Sequence, residues 1–263
     1  MSPNPSSTKK LTPSNLPYSV PNSHLTTKQS LDTPSRILPF FHGQDPRSKT
    51  FPTYLIVRRG QTDSRVTELL YYVFYPYNKG KNMCIPTFGI PPCTCSYFGN
   101  HVGDWEHVKF SLKDGKPWKT EISSHNFEFK FDWNMNRFKQ AGGRQRGDLQ
   151  ITKQGRVAIF IAVDSHGQYP KQQQYMYKDI PPLYDQSSSD GASWPTSNNL
   201  KMNFGRETSV QNYIGTETWR NFRGRWGNIP GKYGLVPGIV NTNCVPGLGK
   251  DGCRLVAGPT APY

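Results

Sequence analysis

The chain has 263 residues, with 34% hydrophobic and 13% aromatic residues, 24 glycines and 23 prolines. That length suits one large β domain or two small ones, and the heavy punctuation by Gly and Pro excludes a helical bundle. Lys and Arg total 32 against 18 Asp and Glu, a formal net charge of +14, which favours anionic partners: an acidic glycan, nucleic acid or an anionic membrane face. The basic residues are dispersed and no recognition motif accompanies them, so nucleic acid ranks last.

Residues 1–36 are rich in Ser, Thr, Pro and Asn. They hold too little apolar surface to offset chain entropy, and they read as a disordered leader. The apolar pattern begins at Ile37–Phe41 and Tyr54–Val57. Glu68–Tyr77 (ELLYYVFYPY) is the first strong strand, and Pro76 is expected to end it. Lys81–Gly99 reads as a long loop. Trp105–Leu112 is the second strong strand, Asp114–Gly115 a turn, and Trp118–Ser123 a short strand. Phe127–Trp133 (FEFKFDW) alternates cleanly, with its aromatic rings on one face. Val157–Val163 is apolar on both sides and is expected as a central, fully covered strand. Tyr169–Asn203 is loop-like. Trp219–Gly227 interleaves arginines with aromatics and reads as an arginine-braced corner. Gly227–Tyr263 is rich in Gly and Pro and is expected to wrap the surface. The expectation is one all-β domain over 37–263, a single jelly-roll-like β-sandwich with long loops.

No apolar run of ~18 residues is present, so no transmembrane segment is expected. The N-terminus lacks the apolar core of a secretory signal, and the chain reads as soluble or peripheral to a membrane, its compartment unassigned. The five cysteines, Cys84, Cys93, Cys95, Cys244 and Cys253, leave one thiol over and fix no pairing.

Titratable side chains crowd most closely in Gly99–Val108 (GNHVGDWEHV). Strand parity puts Asp104 and Glu106 on the face of Val108, Phe110 and Leu112, while Trp105 and His107 look the other way. An inward acid pair must be paired, hydrogen-bonded or bound to a cation. His101, Asp104 and Glu106 are therefore candidate metal ligands, and their oxygen-rich chemistry suits Mg, Ca or Mn. Asp164 and His166 close the Val157–Val163 run. With His125, Arg223, Arg225 and Trp226 they are the candidate ligand-binding residues. No nucleophile elbow, zinc-protease helix, phosphate loop or dinucleotide fingerprint is present, so no catalytic residue is assigned.

The ordered motifs YYVFYPYN (71–78), GNHVGDWEHV (99–108), SSH (123–125), IAVDSHGQYP (161–170), DGASW (190–194) and WRNFRGRWG (219–227) resemble the Vps62-related family, which implies a link to vacuolar sorting. His-x-x-Asp-Trp-Glu at 101–106 more remotely resembles the heptapeptide of the necrosis- and ethylene-inducing cytolysins. Those are β-sandwiches that bind a divalent cation and sphingolipid headgroups. By position His101, Asp104 and Glu106 match, whereas Gly103 replaces a histidine and Asn78 an acid. The reading is a non-enzymatic binding protein at an anionic or sphingolipid membrane surface or a glycan, with a divalent-cation-dependent polar site. A cytolysin and a metal-dependent hydrolase of a glycan or phosphate ester are the alternatives.

Overall fold

In a computed structural model of the chain, residues 24–25, 39–48, 50–85, 94–98, 101–125, 127–134, 137–142, 148–178, 183–204, 218–222, 224–227, 235–236 and 239–240 are described. The strands are β1 (His24–Leu25), β2 (Thr53–Arg59), β3 (Val66–Asn78), β4 (Lys81–Ile85), β5 (Thr94–Phe98), β6 (His101–Lys113), β7 (Lys116–Ser124), β8 (Phe127–Asn134) and β9 (Arg137–Gly142). There follow β10 (Phe160–Ile161), β11 (Gln168–Tyr169), β12 (Gln174–Lys178), β13 (Leu183–Gln186), β14 (Leu200–Phe204), β15 (Arg225–Trp226), β16 (Leu235–Val236) and β17 (Ile239–Val240). Among the described residues the helical pieces are short 3-10 turns, such as Thr218–Asn221. The all-β expectation holds.

Seven strands form one mixed sheet in the order β14-β2-β3-β6-β7-β8-β9. β14 runs parallel to β2, and the other neighbours are antiparallel. The centre is the long β3–β6 pair, in which aromatic and β-branched residues suit a pleated surface. Asp114 and Gly115 lie at φ 51 and 75, the left-handed pair that a two-residue hairpin between β6 and β7 requires.

Register sorts the side chains by face. Tyr71, Val73 and Tyr75 stand opposite Val108, Glu106 and Asp104, and directly opposed residues share a face. There Val108, Ile122, Phe129, Phe131 and Phe138 bury against Leu149, Ala162, Tyr169 and Tyr175. The layer that covers this face is not a continuous sheet. It consists of the ribbons β10–β11 and β12–β13, tied by an Ala162–Ser187 bridge, so the sandwich is lopsided. The other face is divided. At one end Phe74 and Trp105 are covered by Leu25, Trp219, Phe222 and Trp226. Further along, Glu68 holds Arg58 at 2.6 Å, and Lys109 bridges Glu68 and Glu121.

Several local expectations need correction. Val157–Val163 lies in the covering layer instead of the sheet centre, and Val163 is 53% exposed. Val157, Ile159 and Ala162 do pack on the core, but an apolar run alone does not separate a central strand from a covering segment. Pro76 does not end β3. It falls between Tyr75, paired with Asp104, and Tyr77, paired with Val102, where its missing N–H is tolerated. Lys81–Gly99 contains the paired strands β4 and β5, and Tyr169–Asn203 contains β12 and β13 and overlaps β11 and β14. Within the expected leader, His24–Leu25 pairs in parallel with Arg225–Trp226. By contrast, β8 behaves as its alternation predicts: Phe129 and Phe131 are buried, while Glu128, Lys130 and Asp132 are exposed.

Candidate functional site

The site lies at the seam between the central sheet and its covering ribbons. Its first centre is Asp104. Parity along β6 holds from Asp104 to Phe110: Val108 and Phe110 join the main core, while Trp105 enters the opposite aromatic cluster and His107 stacks on Tyr72 at 4.9 Å. Parity then breaks at Gly103, which lies at φ 70. A left-handed residue inside a strand re-aims the chain before it, so His101 reaches the carboxylate three residues on, with Nε2 at 3.4 Å from Asp104 Oδ1. An added Cβ at Gly103 would come within 3.3 Å of Gly227 N. A histidine there, as in the cytolysin heptapeptide, would take a strained backbone and crowd Gly227.

Asp104 Oδ2 accepts a 2.9 Å hydrogen bond from Asn78 Nδ2, which also donates to the Ser165 carbonyl at 2.8 Å. Gly80 N donates to Asn78 Oδ1 at 2.8 Å and fixes the amide. His166 brings Nδ1 to 3.6 Å from Asp104 Oδ2, and its ring stacks on Tyr75 with centroids 4.1 Å apart. Burial disfavours ionisation of Asp104, but hydrogen bonds and charge from His101 and His166 outweigh it and hold the acid well below the usual carboxylate range.

The second centre is Asp185 on β13, whose side chain is 0% exposed. Oδ1 accepts from Ser165 Oγ at 2.7 Å and meets Lys81 Nζ at 2.6 Å. Oδ2 accepts from the Tyr169 hydroxyl at 2.8 Å and contacts His125 Nε2 at 2.7 Å. Burial opposes this charge too, and the bonds and charges of His125 and Lys81 overcome it, leaving the pKa lowered. The adjacent Gly167 is a requirement of this packing. A Cβ there would lie 2.6 Å from Ser124 Oγ and 2.8 Å from Asp185 Oδ2.

Ser165 joins the centres, accepting from Asn78 through its carbonyl and donating to Asp185 through its hydroxyl. Glu106 feels both acids. Burial, then the charges of Asp104 and Asp185, push its pKa well above the usual value. No hydrogen bond or ion pair to the Glu106 carboxyl forms among the described residues. His125, Asp164 and His166 all take positive φ, at 50, 69 and 61. Strained backbone of this kind costs roughly 1–3 kcal/mol per residue and clusters at functional sites.

Of the residues singled out in the sequence, His101, Asp104, His125 and His166 join these centres. Glu106 lies within their field, and Asp164 flanks them through Lys79 at 3.4 Å. Trp226 instead fills the aromatic cluster on the opposite face, and the neighbouring Arg225 is half-buried in β15. Arg223 lies outside the described residues. The residues missed are Asp185, Lys81, Tyr169, Asn78 and Ser165. Among the described residues no group of three His, Cys, Asp or Glu side chains is arranged to hold a metal ion. Ser165 Oγ bonds an aspartate, not a histidine, so it lacks the general base that activates a serine nucleophile.

These features define an all-β protein with a charge-compensated polar seam in its interior. The family model for vacuolar protein sorting-associated protein 62 matches residues 49–179, a span that includes β2 to β12 and most of the seam. Over that span the chain is similar to the Vps62 family. It is 28% identical over 196 residues to TDA6, a candidate vacuolar protein sorting-associated protein of Saccharomyces cerevisiae, covering 70% of this chain and 39% of the relative. It is 29% identical over 140 residues to vacuolar protein sorting-associated protein 62 of the same yeast, covering 50% of this chain and 27% of that protein. The chain thus spans well under half the length of these relatives. No solved structure gives a significant match, and the cytolysin resemblance finds no support in the comparisons.

Proposed function

We propose that this chain is a non-enzymatic binding protein of the vacuolar-sorting class that associates with an anionic or sphingolipid membrane surface and takes a hydroxyl-rich headgroup or glycan at the polar seam. The observation that carries the reading is Glu106. It is half-buried, set in the field of Asp104 and Asp185, and its carboxyl has no hydrogen bond or ion pair among the described residues. A half-buried carboxyl with no protein partner is open to water or to a ligand that replaces it. Kept protonated, it donates a hydrogen bond to a hydroxyl oxygen, while ionised Asp104 accepts one. The net charge of +14 supports attraction to an anionic bilayer. In the described arrangement no helix is long and apolar enough to cross a membrane, which is compatible with peripheral attachment.

Mg or Ca is the second reading, because a cation is the other species that relieves Glu106. It would have to displace His101 from Asp104 first, since that imidazole occupies Oδ1 at 3.4 Å. Vesicle flotation separates the two readings. Wild type is expected to float with anionic or glycosphingolipid vesicles, and Glu106→Gln to weaken the headgroup-specific part. Chelator sensitivity would favour the cation. No flotation with any of these vesicles, with or without Mg or Ca, would overturn the reading.

A further inference from the structure

The covering ribbon has an outer side that the polar seam does not use. Along β12 and β13 burial alternates: Tyr175 and Asp185 point inward, while Gln174, Met176, Tyr184 and Gln186 are exposed. Met176 stands directly opposite Tyr184, and Gln174 opposite Gln186. Val163 extends the same surface, since its N–H donates to the Gln186 carbonyl at 3.0 Å. Val163, Met176 and Tyr184 are 53%, 41% and 42% exposed. Apolar side chains this open usually scatter singly over a surface; these are neighbours in a hydrogen-bonded layer.

The surroundings favour a lipid occupant. None of the outward residues Gln174, Met176, Tyr184 and Gln186 is acidic. At one margin Lys79 is 46% exposed while it neutralises Asp164, and Lys81 donates to the Val163 carbonyl at 3.3 Å. Tyrosine, with a flat apolar body and a polar tip, belongs at the headgroup boundary of a bilayer, and the chain's +14 charge complements an anionic leaflet.

The patch is also coupled to the seam by one tight turn. Ser165 N donates to the Val163 carbonyl at 2.9 Å, and His166 N to the Ala162 carbonyl at 3.2 Å. Asp164 and His166 are both left-handed in this turn. It therefore exposes Val163 while sending Ser165 and His166 into the polar centres.

We infer that Val163, Met176 and Tyr184 form the surface that seats this protein on an anionic bilayer, an inference that rests on the membrane reading given above. The test is co-flotation of the full chain with phosphatidylserine-containing vesicles, comparing wild type with Met176→Asp/Tyr184→Asp and with Met202→Asp. Met202 is a control, 53% exposed on β14 at the far edge of the sheet. The double substitution is expected to lower partitioning at least tenfold with an unchanged thermal midpoint, and Met202→Asp to leave it unaltered. Equal binding by wild type and the double variant would overturn this surface and leave the membrane reading standing. No binding by wild type would remove both. Sedimentation without vesicles adds a last check: a dimer that the double variant abolishes would reassign the patch to a second copy of the chain and overturn the lipid assignment.

Discussion

Asp185→Asn is the most informative single change, because it alters one atom at the most densely bonded carboxylate. The carboxylate takes contacts from Ser165, Lys81, Tyr169 and His125, all within 2.8 Å. Asparagine keeps one acceptor but turns the other oxygen into a donor, so two of those groups meet an N–H. Lys81 also loses its counter-charge while only 18% exposed. Hydrogen bonds to charged groups contribute about 1.5–3 kcal/mol each, and breaking a buried ion pair costs about 3–5 kcal/mol. Partial solvent access to Lys81 argues for the lower end, about 3 kcal/mol, a large share of the roughly 5–15 kcal/mol of a typical domain. Urea unfolding at pH 7, followed by tryptophan fluorescence, should show the midpoint falling by about 1–3 M for ordinary m values. The double variant Asp185→Asn/Lys81→Met should recover part of the loss, since removing both charges costs less than orphaning one. A loss under about 1 kcal/mol, the scale of a solvated surface pair, with no recovery in the double variant, would refute the reading that this buried pair ties the β12–β13 ribbon to the β4–β5 pair.

Further outcomes follow from the same geometry. Glu106 has a raised folded-state pKa, so the unfolded chain releases its proton first as pH rises. Its contribution to stability therefore declines from the ordinary glutamate pKa upward to the folded value and is then constant. Glu106→Gln should raise the thermal midpoint at neutral pH and give no gain at pH 3.5; equal shifts at both pH values would contradict the assignment. Asp104 and Asp185 have lowered values, so their stabilisation is complete above the ordinary aspartate pKa and is lost as pH falls towards the folded values. The wild-type midpoint should drop in acid, with the drop diminished in Asp185→Asn. Gly167→Ala places a methyl 2.6 Å from Ser124 Oγ and should cost about 1–3 kcal/mol by overpacking, read as a lower urea midpoint. Gly103→Ala combines φ 70 with a 3.3 Å approach to Gly227 N, so a loss of about 1–2 kcal/mol is expected from the left-handed backbone alone; an unchanged midpoint would argue against the left-handed conformation.

Half of the polar seam was legible in the sequence, for a physical reason. Asp104 and Glu106 sit on a long strand with strict alternation, and parity reads through to the burial of Val108 and Phe110. Asp185 lies on a four-residue strand inside a stretch crowded with Ser, Gln and Pro, where local composition argues for loop. The available signal was the pair of alternating segments QYMYK and LYDQ, whose register sets Tyr175 opposite Asp185. Lys81 was hidden because β4 is bounded by turn residues, and its partner is more than a hundred positions away in sequence. His101 was found by crowding and by the heptapeptide resemblance, not by parity, which puts it on the wrong face; the left-handed Gly103 returns it to Asp104.

Asn78 was read as the loss of an acid, and that substitution explains why the seam is balanced as it is. An aspartate at position 78 would set a third charge against Asp104, where the amide now donates 2.9 Å to that carboxylate and 2.8 Å to the Ser165 carbonyl. The amide therefore does what a carboxylate cannot: it offers donors to both, tying β3 to the left-handed turn of the covering layer. It also favours the ionised form of Asp104 beside Glu106, whose pKa is raised. An Asn78→Asp variant tests this directly. It should be destabilised at pH 7, since two acceptors lose their donor and gain a negative neighbour, and should recover towards pH 3.5 as the new acid protonates. Stability equal to wild type at pH 7, or a larger deficit in acid, would mean that the amide is not what couples sheet to ribbon.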